Sequence, residues 1–368
     1  MSEAVPFMDL VAQQAEVADE ILADLEAIVR GGGFIGGDQV TSFETEFAAF
    51  SDVAHCVGVG NGTDALELAL RALDIGEGAE VLVPANSFIA SAEAVIRAGA
   101  RVRFADVDDE SLLLDAASVE RAITPHTAAV LAVDLYGQPA PFDEITPVAE
   151  RFGAAVIEDA AQSQGATRFG RPAGSLARIA GTSFYPGKNL GAAGDAGAVL
   201  TGDRTLAERV RVIASHGSTE KYVHDEFGFN SRLDAIQAVV LRAKLARLPA
   251  WNAARRAAAL RYDELLAGLE GVRLPVTLPG NVHNWHIYCV RVPDRDRVLA
   301  GLKAEGIGAA LHYPTPIHLT GAFRRLGLSR GDFPVAERAA SELLSLPMFP
   351  HLAEAQQVRV ADALKRLV

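Results

Sequence analysis

Cysteine is nearly absent from this chain: Cys56 and Cys289 are the only two in 368 residues. Two thiols build no disulfide framework, and both sit in apolar runs that suit plain core thiols. Positive charge is also short. Lys plus Arg number 34 against 47 Asp plus Glu, a formal charge of −13. That balance argues against a nucleic-acid binder, whose usual footprint is a basic face. Long apolar runs are missing too. The longest stretch free of Asp, Glu, Lys and Arg, residues 306–323, is broken by His312, Pro314, Pro316 and His318. The next, residues 274–290, contains Pro275, Pro279, Asn281, His283, Asn284 and His286. A membrane span needs about 18 or more apolar residues, so none is expected. The first ten residues, MSEAVPFMDL, carry acids and no basic segment. No secretory signal is therefore expected, and a cytoplasmic location is the default. What is present is ordinary globular composition, 49% hydrophobic and 22% charged, which excludes disorder.

The chain then shows a rhythm. Two helices are expected first, over residues 17–28, stopped by Gly31-Gly32-Gly33, and over residues 40–50. Short apolar runs at 55–59, 80–83, 101–105, 128–133 and 154–157 alternate with amphipathic ones at 65–73, 90–96, 119–123 and 145–152. Further strand-like runs follow at 182–185 and 197–201. Unalternated Ala/Val/Ile-rich strands between helices imply a mostly parallel sheet buried on both faces. After Arg204 the pattern changes to helices at 206–214 and 230–269, the latter punctuated at Pro249. A strand at 286–292, a helix at 297–305, a strand at 308–312 and a helix at 353–367 complete a smaller α+β unit. The expected division is a large α/β domain over 1–245, with an N-terminal helical arm, and a small domain over 246–368.

The informative loop is Thr182-Ser183-Phe184-Tyr185-Pro186-Gly187-Lys188-Asn189-Leu190-Gly191. Its lysine stands in a Gly-rich, otherwise uncharged segment. A nucleotide phosphate loop does not fit: Gly181 and Gly187 enclose five residues rather than four, and Asn189 replaces the Ser or Thr. A lysine that condenses with a carbonyl does fit, because such an amine must be desolvated to be neutral and nucleophilic. With pyridoxal phosphate as the carbonyl partner, four further groups are needed. An acid must hold the ring nitrogen protonated, and Asp159 ends a buried strand 29 residues before Lys188. The phosphate needs backbone amides at a helix start, and Gly60-Asn61-Gly62-Thr63-Asp64 joins a strand to a helix. That run is one residue short of the dinucleotide fingerprint. Phe88 is placed to cover the ring, and Gln162 to reach its hydroxyl. Singly, Asp159 reads as a helix cap and Phe88 as core; their joint order is the signal.

The set Asn61-Gly62-Thr63-Asp64-Ala65-Leu66, Glu158-Asp159-Ala160-Ala161-Gln162-Ser163, Ser183 to Lys188, Asn230-Ser231-Arg232-Leu233-Asp234 and His312-Tyr313-Pro314 resembles the pyridoxal-phosphate nucleotide-sugar aminotransferases of the DegT/StrS type. The resemblance spans nearly the whole chain. It implies the aspartate-aminotransferase fold: a large domain with a mostly parallel seven-stranded sheet and a smaller C-terminal α+β domain. It implies pyridoxal 5′-phosphate as cofactor, passing through its pyridoxamine form, with Lys188 as covalent holder and proton carrier. Asp159 would pair with the ring nitrogen, Gln162 with the hydroxyl, Phe88 with the ring face, and Gly62, Thr63 and Ser183 with the phosphate. Asn230 would reach that phosphate in a neighbouring subunit, making a homodimer with shared sites. Arg232, His312, Tyr313, Phe34 and Tyr185 would line the substrate pocket. The implied partners are a nucleotide-linked keto sugar and L-glutamate with 2-oxoglutarate.

Relatives with His in place of the lysine dehydrate sugars; this chain keeps Lys188, so amino transfer is expected. Gly194-Asp195-Ala196-Gly197 and Lys221-Tyr222-Val223-His224 resemble members acting at carbon 3 of a 3-keto-6-deoxy sugar carried on thymidine diphosphate. Amination at carbon 4, a cyclitol acceptor and a non-catalytic cofactor-binding regulator are the alternatives. Elsewhere the plainer reading prevails. His283 and His286 flank Trp285 in a strand-like run and point to opposite sides, so no metal is expected. Arg255, Arg256 and Arg261 read as a solvated helix face, and Arg324, Arg325 and Arg330 as a surface cluster.

Overall fold

The computed structural model describes residues 4–368; Met1, Ser2 and Glu3, part of the N-terminal stretch read above, lie outside them. The expected alternation forms one seven-stranded sheet. Its strands are β1 (His55–Val59), β2 (Glu80–Pro84), β3 (Arg101–Ala105), β4 (Thr127–Val133), β5 (Ala155–Asp159), β6 (Ile179–Ser183) and β7 (Gly197–Thr201). Their order across the sheet is β1-β7-β6-β5-β4-β2-β3. Only β7 runs against its neighbours β1 and β6; the remaining pairings are parallel. Helices on both faces cover the strands, so Val81, Val83, Val130, Leu131 and Ile157 are all fully buried. Each such side chain contributes about 1.5–3 kcal/mol of apolar burial. The unalternated strands were therefore a true signal of a two-sided core.

Parallel strands end on the same edge, and loops leaving that edge collect the candidate residues. From β1 the chain enters Gly60–Thr63, from β2 the Asn86–Phe88 segment, from β5 Ala160–Gln162, and from β6 the Lys188 loop. β5 places Asp159 beside Val133 of β4 and Gly181 of β6.

The C-terminal part differs from expectation in several places. The stretch 230–269 is not one helical run. Residues 230–234 are extended, with bridges Ser215–Asn230 and Ile35–Asp234, and two helices follow, Ala235–Leu245 and Leu248–Leu266. Pro249 opens the second of these, where its missing N–H costs nothing. The run read as a strand at 182–185 belongs to β6, which begins at Ile179 and ends at Ser183. The 308–312 run forms only a bridge from Ala310 to Ser345. Strand Tyr288–Arg291 instead pairs antiparallel with Leu343–Leu346, a strand the sequence did not announce. This pair, with helices Arg295–Ala304 and Glu354–Leu367 and the C-terminal half of Leu248–Leu266, encloses a second core. Val5 joins that core from the far end of the chain, bridging to Ile307.

Arg255 corrects the reading of a solvated face. It is 1% exposed and donates to the carbonyls of Trp285 and Met348, and burial pulls its guanidinium down to about 9. Arg261 does face the surface, toward Glu354 and Gln357. Arg324, Arg325 and Arg330 are exposed, and Cys56 and Cys289 are buried and unpaired, as expected.

The two flanking histidines are structural. His283 stacks on Trp285 with ring centroids 3.9 Å apart and accepts its backbone N–H. His286 lies 3.2 Å from the Asn189 Oδ1 through Nδ1. Burial holds both neutral, His283 at about 3 and His286 well below its ordinary value. Below about pH 6.5 the unfolded chain binds protons that the folded one does not, so stability falls as pH drops. Each imidazole contributes up to about 1.4 kcal/mol per pH unit to that slope. Urea melts between pH 6.5 and 5 should show the decline, and His283→Phe should remove about half of the two-histidine part. A flat profile in wild-type protein would contradict it.

Candidate active site

Asp159 is 4% exposed at the end of β5. Among the described residues its hydrogen-bond donors are the Ser91 hydroxyl, 2.8 Å from Oδ2, and the Ala161 amide, 3.2 Å from Oδ1. Ser91 lies on helix Ala90–Arg97, and its hydroxyl is in turn 2.8 Å from that of Ser87. Burial pushes the Asp159 carboxyl up; Ser91, Ala161 and the charge of Lys188 oppose this. A buried carboxylate with no ion pair calls for a cationic partner.

Lys188 supplies the facing amine. Its loop closes when the Lys188 amide donates to the Tyr185 carbonyl at 2.8 Å. The residue is half-buried, yet desolvation of the ammonium outweighs Asp159 and pulls it down to about 8. The neutral, nucleophilic form is thus accessible near neutral pH, and its fraction rises as pH climbs toward that value. Asn189 is locked behind it, donating to Asn252 Oδ1 and the Asn284 carbonyl at 2.9 and 3.1 Å.

The remaining cofactor candidates converge here. Gln162 accepts the Tyr136 amide at 2.6 Å and turns its NH2 toward the Tyr313 hydroxyl at 3.3 Å. Phe88 is 52% exposed, and its ring lies 5.5 Å from that of Tyr313. His312 is held by Ser345 at 2.8 Å and stacks on Phe7; burial and Lys188 pull it down to about 4.

Helix Gly62–Ala72 starts beside β6. Asn61 caps it by accepting the Asp64 amide at 2.9 Å, which leaves the Gly62 and Thr63 amides as the unpaired first-turn donors. Only glycine fits at 62, because a Cβ there would lie 2.6 Å from the Ser183 Cβ. Gly62, Thr63 and Ser183 thus lie together at a helix N-terminus, a position suited to cradling an anion.

Three candidates stand apart. Phe34, Asn230 and Arg232 are exposed, as is Tyr185 in the Lys188 loop, and none of the three makes a hydrogen bond to the Lys188 cluster among the described residues. The Lys221–His224 run forms an exposed hairpin from Ser218–Glu220 to Val223–His224. Gly194 packs against Gln237, and the Ala196 carbonyl accepts the Phe184 amide within the Lys188 loop. Sequence reasoning missed Ser91 and Tyr136. Ser87 lies in the bend before helix Ala90–Arg97, so its spacing to Ser91 gave no helix-face signal; nothing announced Tyr136, whose φ of 64° comes from the loop after β4.

The model of the DegT/DnrJ/EryC1/StrS aminotransferase family matches residues 15–365. The chain belongs to this family. It is 46% identical to the dTDP-3-amino-3,4,6-trideoxy-alpha-D-glucose transaminase of Streptomyces venezuelae, over 98% of this chain and 95% of that one. It is 47% identical to the UDP-N-acetyl-3-dehydro-alpha-D-glucosamine 3-aminotransferase of Acidithiobacillus ferrooxidans, over 99% and 98%. Among solved structures, S. venezuelae DesV in complex with a ketimine intermediate superposes with a TM-score of 0.97 at 46% identity, covering 99% of this chain and 98% of that one. The fold expected for a DegT-type aminotransferase is therefore the fold observed.

Ser91 gives this site a specific test. Removing a hydrogen bond to a charged group costs about 1.5–3 kcal/mol. Ser91→Ala should thus raise the Asp159 carboxyl further, and transaminase activity at pH 6 should fall about tenfold more than at pH 8. Ser91→Thr, which keeps the hydroxyl, should restore the profile. Equal losses at both pH values would count against the role.

Proposed function

We propose that this protein is a pyridoxal-phosphate-dependent aminotransferase that moves the amino group of L-glutamate to carbon 3 of a nucleotide-linked keto sugar, a dTDP-3-keto-6-deoxyhexose. The observation that carries the reading is the opposition of Lys188 and Asp159 at the mouth of the sheet, with the Gly62–Thr63–Ser183 cradle alongside. The donor set fits the cofactor: a buried acid without a cation, an amine near neutrality, free amides and an exposed ring. When bound, pyridoxal 5′-phosphate supplies an aldehyde for amines and a ring that delocalises the electron pair left after proton removal.

The residues then divide the work. Gly62 and Thr63 amides and the Ser183 hydroxyl bind the phosphate, aided by Asn230 from a second subunit. Asp159 holds the ring nitrogen protonated, Gln162 donates to the ring hydroxyl, and Phe88 covers the ring face. Lys188 Nζ takes the proton from the donor carbon and returns it on the other side of the exchange. Arg232 clamps the carboxylate of the amino donor. His312, Tyr313, Phe34 and Tyr185 border the sugar nucleotide. Exposed Phe34, Ile35, Tyr222 and Phe227 support a homodimer that completes both sites, since large apolar side chains exposed together mark an interaction surface. We also keep the division into domains 1–245 and 246–368, supported by the separate C-terminal core. No helix among the described residues is long and apolar enough to cross a membrane.

Carbon 3 is favoured by the activities of the two relatives, whose names both specify that position. The deciding experiment incubates the protein with glutamate and, in separate reactions, a dTDP-linked 3-keto-6-deoxy sugar and a dTDP-linked 4-keto-6-deoxy sugar, and locates nitrogen in the product by NMR. Nitrogen on carbon 3 of the dTDP sugar is expected; nitrogen on carbon 4, or no amino product, would overturn the reading.

A further inference from the structure

The segment 230–234 is extended, and its side chains alternate. Asn230, Arg232 and Asp234 are exposed, whereas Ser231 and Leu233 are each 2% exposed. The buried pair is bolted to the start of the phosphate cradle. The Ser231 hydroxyl donates to Asp64 Oδ2 at 2.8 Å and accepts the Gly60 amide at 3.0 Å. Leu233 occupies the space beside Gly58, where an added Cβ would lie 2.7 Å from its own Cβ. Asp64 stands in the first turn of the helix whose amides at Gly62 and Thr63 face the phosphate, and its other oxygen is paired with Arg97 at 2.8 Å.

One hydroxyl therefore joins two structures with different destinations. Inward, it fixes Gly60 and Asp64, and so the cradle of its own subunit. Outward, through one peptide unit on either side, it fixes Asn230 and Arg232. On the homodimer reading above, on which this inference rests, Asn230 serves the other subunit's site, and Arg232, two residues on and exposed on the same side of the extended segment, is carried there with it. We propose that Ser231 is a positioning residue for both active sites of the dimer at once. It aligns the phosphate cradle in cis and the Asn230–Arg232 pair in trans. A residue of this kind makes each subunit's cofactor site and its contribution to the partner parts of one rigid node. Other tethers hold the segment in place: the Ser231 amide donates to Ala214 at 3.0 Å, and the Ala235 amide to Phe34 at 3.0 Å. Loss of the hydroxyl should therefore leave the fold intact.

Hybrid dimers isolate the trans effect. Two differently tagged subunits are co-expressed and the mixed dimer is purified through both tags. The first subunit carries Lys188→Ala; the second keeps Lys188. The one complete site then combines the second subunit's lysine, acid and cradle with Asn230 and Arg232 of the first. Ser231→Ala is added to the first subunit alone. The expected result is a rise of about fivefold in the KM for glutamate and in the dissociation constant for pyridoxal phosphate, with kcat changed less than twofold. Ser231→Thr in the same place should restore both, and the melting temperature should stay within a few degrees of the unaltered hybrid. Unchanged KM and cofactor affinity in this hybrid would overturn the inference alone. Failure of the wild-type homodimer to take up pyridoxal phosphate, read from visible absorbance, would overturn the functional reading and with it this one.

Discussion

Lys188→Ala is expected to lower turnover about 10⁴-fold or more, the range lost when a covalent and proton-moving group is removed. The effect is large because, on the proposed function, one amine carries two roles: it would bind the cofactor covalently and move the proton at the donor carbon. Its environment is built for both, since desolvation brings it down to about 8 without an ion pair to fix its charge. The substitution should leave the fold unchanged, because the loop is closed by backbone contacts from Lys188 to Tyr185 and from Ala192 to Phe184. Stopped-flow and steady-state assays with glutamate are the check. Residual activity within tenfold of wild type would remove Lys188 from the reaction.

Asp159→Asn is expected to have the second-largest effect. The carboxylate is buried, unpaired within the chain, and supported by Ser91 and Ala161. Asparagine keeps the shape but not the charge. Removing one partner of a buried ion pair costs about 3–5 kcal/mol, and one tenfold step corresponds to about 1.4 kcal/mol. Turnover should therefore fall by roughly two to four orders of magnitude, with a smaller change in cofactor affinity because the phosphate cradle is untouched. Asp159→Glu should not restore it, since a longer side chain in this packed position displaces the carboxylate. A loss of affinity with unchanged turnover would point to a purely structural carboxylate.

How much of this was legible depends on whether the signal was local. The strands at His55–Val59, Arg101–Ala105 and Gly197–Thr201 were readable to the residue because each is a short run carrying Val or Phe close to a glycine breaker, Gly60, Gly99 and Gly202. Asp159, Lys188, Gly62 and Gln162 were readable as candidates because each ends or follows a strand on the same edge of the sheet. The 230–234 segment was misread as helix because Leu233, Ile236, Val239 and Val240 also suit helical spacing. Its extended shape comes from pairing with Ile35 and Ser215, which lie far away in sequence. Arg255 was misread for the same kind of reason. Its burial depends on the carbonyls of Trp285 and Met348, which no window around the helix contains. Leu343–Leu346 escaped notice because its four residues follow directly on helix Pro334–Glu342 and gain their identity from pairing with Tyr288–Arg291. Ser91 became meaningful only when helix Ala90–Arg97 was set beside the end of β5.

The central claim is that one particular amine carries the cofactor above one particular acid. Borohydride reduction of the protein loaded with pyridoxal phosphate, followed by peptide mass spectrometry, tests it most directly. The account predicts a single reduced adduct, on Lys188, with about one equivalent per chain. An adduct on Lys244 or another lysine, or no adduct on Lys188, would contradict it.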